Sequence, residues 1–224
     1  MTNVQFHPSD NSLELYAAGL LDPSMSIMVS AHLEFCGACR QRVAQLENSL
    51  ASQLQQAEPV AINPQLDSMM QMIMQQTIPS QPTEPQQLQA KIKLDDKSFA
   101  LPRVLQAHAK KIGPWARLPG KLQRARVDAV GDSKMNFIYM DQNSALPEHT
   151  HQGQEVTLVL AGRFIDNGGS YGPGDFVIRD TQHTHTPRTE ADQDCLCLTL
   201  LDAPLHFTSG LASLLNPFSQ LFFR

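Results

Sequence analysis

Residues 31–41 read AHLEFCGACRQ, which sets His32, Cys36 and Cys39 in the pattern H-x3-C-x2-C. The histidine stands one helical turn before the first cysteine, so the two share a helix face. Two thiols separated by two residues can wrap one ion, with Gly37 easing the turn. Thiolate and imidazole ligands together select zinc over harder metals. A structural zinc site wants four ligands, and no other cysteine is close in sequence. His7, just before the first expected helix, can fold back to complete a set of His7, His32, Cys36 and Cys39. A second group, PEHTHQGQE at residues 147–155, offers His149, His151 and Glu155. Residues i and i+2 of a strand point to the same side, so the two histidines can share an ion. Glu155 joins them if the strand stays regular, and a single bulge would turn it away. The remaining cysteines, Cys195 and Cys197, alternate on one strand face. Such pairs seldom meet disulfide geometry, so they are expected to serve barrel packing.

Two kinds of element must carry these residues. The stretch 1–76 has helical periodicity: Leu13, Tyr16, Ala17 and Leu20 form one stripe, and Val43, Leu46, Leu50 and Leu54 another. Asp22 followed by Pro23 is a helix start, a capping carboxylate before a proline at the first helical position. A fourth short helix is expected in LDSMMQMIMQQ, where Met69, Met70, Met72 and Met74 can make an adaptable binding surface. Residues 77–90 hold three prolines, four glutamines and no aromatic, a composition that reads as a linker. From about residue 98 the period changes to two. RARVDAV, KMNFIYM, EVTLVLAGRFID, GDFVIRD and DCLCLTLLD are expected strands separated by glycine, proline and aspartate turns. The fold expected is therefore α + β and multidomain: a helical zinc-binding bundle over 1–76, a linker over 77–97, and an all-β barrel over 98–224.

Charge narrows the partners. The net charge is −5. Residues 1–90 carry 2 basic and 8 acidic side chains, or −6, whereas 91–134 carry 11 basic and 4 acidic, or +7. An acidic helical region argues against nucleic-acid binding there and favours a basic protein partner. The N-terminus lacks a basic and then apolar leader, and no stretch approaches the ~18 apolar residues of a membrane span. A cytoplasmic protein without membrane contact is expected, in which four cysteines serve metal or packing rather than disulfides.

The order H-x24-H-x3-C-x2-C in an acidic helical region resembles the zinc-binding anti-sigma factors. The pattern H-x-H-x3-E-x6-G from His149 to Gly162 resembles the first cupin motif. The second cupin motif implies a glycine–aspartate turn and a histidine about eleven residues on, which here are Gly174, Asp175 and His185. The usual residues around that histidine are absent, so the choice between His183 and His185 stays open, with spacing favouring His185. The combination of helical zinc domain, proline-rich linker and a cupin ending in DCLCLTLLDAPLHF resembles the ChrR-type anti-sigma factors. That resemblance implies a protein that sequesters an extracytoplasmic-function sigma factor and releases it under singlet-oxygen-type stress, with the cupin metal in signal response; three histidines and a glutamate suit zinc, iron or manganese, of which zinc is expected. It implies no catalytic residues. The rival is a metal-dependent cupin oxygenase or isomerase with an accessory zinc domain, since a three-histidine site with open positions can do such chemistry.

Overall fold

The computed structural model describes residues 4–58, 63–76, 90–128, 133–208 and 210–219. Four helices come first: α1 (Asp10–Ala17), α2 (Pro23–Phe35), α3 (Gly37–Gln56) and α4 (Pro64–Met74). Each starts at a side chain that accepts an otherwise unpaired backbone N–H: Ser9, Asp22, Cys36 and Asn63. Asp22 before Pro23 acts as its sequence predicts, accepting from Ser24 and Met25. The break between α2 and α3 differs from expectation. It falls at Cys36, which is extended (φ −107, ψ 107) and closes one helix while capping the next. Gly37 is already helical, and a side chain there would meet only Arg40 at ordinary contact distance.

The alternating pattern also begins earlier than residue 98. β1 (Lys91–Leu94) and β2 (Lys97–Ala100) pair as a hairpin that buries Ile92 and Leu94. Structure thus intrudes on the expected linker at residue 91, while residues 77–89 lie outside the described residues. A single turn, α5 (Arg103–Gln106), then leads into ten strands. These are β3 (Ile112–Leu118), β4 (Leu122–Val127), β5 (Lys134–Met140), β6 (His149–His151), β7 (Glu155–Gly162), β8 (Phe164–Asp166), β9 (Gly169–Tyr171), β10 (Phe176–Arg179), β11 (Cys195–Leu201) and β12 (Leu205–Phe207). Six form one antiparallel sheet in the order β10-β7-β11-β5-β4-β3. The ribbons β6–β12 and β8–β9 and the bridge between His149 and His185 supply the opposing wall.

Strand parity gives the large sheet two different faces. Leu122, Ile138, Met140, Thr157, Cys197, Thr199 and Leu201 line a cavity of about 630 Å³, its mouth included. Ala125, Phe137, Leu158, Leu196 and Leu198 point the other way and pack in one hydrophobic core with Leu13, Met28, Val29 and Ala31 of the helices. The helical bundle therefore completes its core on the outer face of the sheet. Truncating Met28, which is wholly buried there, is expected to cost about 2–5 kcal/mol. α4 is the opposite case: none of its residues is buried. No described helix is long and apolar enough to cross a membrane.

Candidate metal centres

The α2–α3 junction brings the first cluster together. His32 lies in the last turn of α2, Cys36 is the cap, and Cys39 occupies the third position of α3. Cap geometry places the Cys36 sulfur 3.4 Å from the Cys39 backbone N–H, and the helix N-terminus favours negative charge on it. His7 arrives on the extended N-terminal arm, its Nδ1 lying 3.4 Å from Cys36 Sγ and 3.5 Å from Cys39 Sγ. The four ligand atoms lie within 4.8 Å of one another; His7 is exposed and the other three are buried.

The chemistry of this cluster fits a soft cation. His32 Nδ1–H donates to the Gly174 carbonyl at 2.8 Å, which turns the Nε2 lone pair inward, where it is buried with no hydrogen-bond partner. Burial pushes His32 down to about 4 despite that bond, so it is neutral and able to ligate. Burial, with the hydrogen bond and charge of Cys36, pushes Cys39 up to about 12. A cation is what would offset this cost and hold the thiolate.

The second cluster sits at the inner end of the β-cavity. β6 holds His149 and His151, the loop after β10 supplies His185, and β7 begins at Glu155. His185 Nε2 is 3.0 Å from His149 Nε2 and 3.1 Å from His151 Nε2, while Glu155 Oε2 is 3.1 Å from His151 Nε2. Glu155 does not get there by strand parity, because β6 ends at His151 and a bend at residues 152–154 intervenes. His183 stays out of the group: it is half exposed and contacts Asp180 at 2.7 Å.

Outer contacts orient these rings. His149 Nδ1–H donates to the Pro147 carbonyl at 2.8 Å and His185 Nδ1–H to Asp166 at 2.9 Å. The two rings therefore bring their Nε2 atoms to 3.0 Å of each other, where one cation can be shared. Burial pushes His149 down to about 4 and His151 down to about 3, so protons compete poorly for these nitrogens. For Asp166, burial alone would raise the carboxyl; hydrogen bonds from His185, Gly168 and Tyr171 and the charge of Arg179 outweigh it and hold the group far below the usual carboxylate range. A histidine ligand backed by a carboxylate is a common way to fix the ring and raise its basicity.

Asp166, Tyr171 and Asp175 were not singled out as site residues by sequence reasoning. Only Asp175 carried a signal, as part of the second cupin turn. Gly162, by contrast, is explained: its φ is +71, and a Cβ there would fall 1.9 Å from the Asp194 carbonyl oxygen. Cys195 and Cys197 are buried free thiols with sulfurs 3.5 Å apart. Burial raises the Cys195 thiol further from ionisation.

Comparison with known proteins bears on the whole chain. A family model described as the ChrR cupin-like domain matches residues 106–203. The anti-sigma-E factor ChrR of Cereibacter sphaeroides is 33% identical over 219 residues, covering 97% of this chain and 99% of that protein. The structure of Rhodobacter sphaeroides SigE in complex with the anti-sigma ChrR superposes with a TM-score of 0.71 at 29% identity, covering 89% of this chain and 100% of that one.

Proposed function

The chain belongs to the ChrR family of anti-sigma factors, and on that premise we propose that it binds an extracytoplasmic-function sigma factor through its helical region and releases it under oxidative stress. The observation that carries the binding half is α4. Its Leu66, Met69, Met70 and Ile73 lie at helical spacing on one side, and all are about half exposed or more. A capped helix with an apolar stripe and no cover from the described residues is a surface for a partner. Leu20, just after α1, and Leu54 of α3 add exposed apolar area. The acidic charge of residues 1–90 adds attraction for a basic partner.

The four residues His7, His32, Cys36 and Cys39 would hold zinc, which joins arm, α2 and α3. His149, His151, Glu155 and His185 would hold a second divalent ion, zinc by our reading, whose loss on oxidation of its ligands reports the stress. The division takes 1–76 as the sigma-binding unit and begins the cupin side at the β1–β2 hairpin, at Lys91 rather than at residue 98. An enzymatic role is the weaker reading. Besides His149, Glu155, His185 and the thiol Cys197, the described cavity wall holds only Thr157 and Thr199 as polar side chains, which leaves no separate acid or base.

Co-expression with extracytoplasmic-function sigma factors of the same organism, followed by purification and in vitro transcription, tests the proposal. A stable one-to-one complex that blocks transcription is expected. Absence of any complex with the zinc-loaded full chain would overturn it.

A further inference from the structure

The cysteine cluster is held from outside by one turn of the cupin. Gly174 and Asp175 lie between β9 and β10, far in sequence from the helices. The Gly174 carbonyl accepts from His32 Nδ1 at 2.8 Å. The Asp175 carboxylate, 4% exposed, accepts three backbone N–H groups: Gln5 at 2.7 Å and Phe6 at 3.1 Å on Oδ1, and Gly172 at 2.8 Å on Oδ2. Phe176 N–H then donates to the Phe6 carbonyl at 2.9 Å, and the Phe6 ring packs on Tyr171 with centroids 4.8 Å apart. The residue that follows this clamp is His7. Space at the turn is as tight as the bonding: a Cβ on Gly174, whose φ is +94, would sit 2.6 Å from Phe35 Cβ and 2.7 Å from Val4 Cγ2.

We infer that Asp175 is a positioning residue for the cysteine cluster: by fixing the arm at Gln5 and Phe6 it places His7, while the adjoining Gly174 carbonyl orients His32. Both histidines of the helical cluster thus depend on one turn of the cupin. Charge-assisted bonds to backbone N–H groups are the strong kind, and a buried carboxylate with three such donors is rigid. The same arm touches the second cluster at one remove. Tyr171, under Phe6, donates to Asp166 Oδ1 at 2.9 Å, and Asp166 Oδ2 accepts from His185. The arm thus touches both clusters, and release of its clamp on Asp175 would free His7. This deepens the proposed release mechanism and rests on the metal reading of the cysteine cluster.

The test uses full-length protein loaded with cobalt, whose thiolate charge-transfer band reports the cysteine cluster alone, and zinc release to a coloured chelator. Asp175→Ala is expected to release metal at least ~10-fold faster, the usual scale for losing an outer support. Asp175→Asn, which keeps one acceptor oxygen for Gln5 and Phe6, is expected to fall between. The decisive measurement is the cycle with His7→Ala: if Asp175 acts through His7, Asp175→Ala adds nothing in that background. Additive effects would show a general loss of cupin stability and overturn the inference, as would wild-type release from Asp175→Ala. If His7→Ala and Cys36→Ser themselves leave cobalt binding unchanged, the metal reading fails instead.

Discussion

His185 gives its Nδ1–H to Asp166 at 2.9 Å and so aims Nε2 at His149 Nε2, 3.0 Å away. His151 Nε2 and Glu155 Oε2 lie within 4.8 Å of the same group, so the four side chains can converge on one cation. The cluster is a metal-capable group on the cupin side, and it connects through Asp166 and Tyr171 to the N-terminal arm.

Removing that ion should uncouple sensing from binding. The double variant His149→Ala, His151→Ala is expected to lose one metal per chain and to keep sigma binding, because the apolar face of α4 is untouched. Release under singlet oxygen should be blunted. Metal analysis, a pull-down and a transcription assay under illumination with a photosensitiser check it. Normal release from the double variant would make the cupin ion structural and shift sensing to Cys36 and Cys39.

Protons should act against the chelated protein with a definite sign. His32 and His149 are held down to about 4 and His151 to about 3, in each case chiefly by burial, against about 6.5 in an unfolded chain. Between those values the unfolded chain binds protons that the folded chain refuses. Stability is therefore lost as pH falls through 6.5, and the loss stops growing only below the folded values. At about pH 5.5 each such histidine should cost on the order of 1 kcal/mol. Urea unfolding of chelator-treated protein across this window measures it, and a flat profile would show that these rings are not buried neutral in solution.

How much of this was legible in the sequence depends on the range of the contacts. The residues that gather in each cluster could be read from H-x3-C-x2-C and H-x-H, because helix and strand periods decide what shares a face. The cap at Asp22 was equally local. Glu155 is marked by the cupin spacing, but a bend rather than strand parity delivers it. Gly37 was credited with a turn that Cys36 makes, because a cysteine is not expected as a cap. The linker was drawn through Lys91–Leu94, whose two inward residues are too few to signal a strand alone. Asp175 and Asp166 act through contacts that no local pattern announces, the former with backbone about 170 positions away. The continuity of the helical core with the sheet was hidden for the same reason: β7 and β11, read as barrel strands, are apolar on both faces because each face meets a different core.

The cysteines should carry both metal and fold. Cys36→Ser removes a ligand and weakens the cap of α3 at once. Loss of one zinc per chain is expected, with melting of the arm and of the α2–α3 junction, since a structural zinc is worth on the order of 10 kcal/mol in small domains. The cupin sheet, with its own inner core, should retain its far-ultraviolet signal. Retention of both ions in the Cys36→Ser, Cys39→Ser double variant would refute the assignment.

The partner surface can be tested without disturbing either cluster. Leu66, Met70 and Ile73 lie on one side of α4, and none packs against the rest of the described chain. The triple variant Leu66→Ser, Met70→Ser, Ile73→Ser leaves the Asn63 cap and both metal groups intact, so zinc content and thermal unfolding should not change. Apolar anchors at the centre of an interface commonly cost more than about 1 kcal/mol each when truncated. Together the three should weaken sigma binding by roughly 100-fold or more, measured by titration of labelled sigma factor and by restored transcription. Unchanged affinity would move the interface to the apolar residues left exposed after α1 and on α3, Leu20, Leu50 and Leu54.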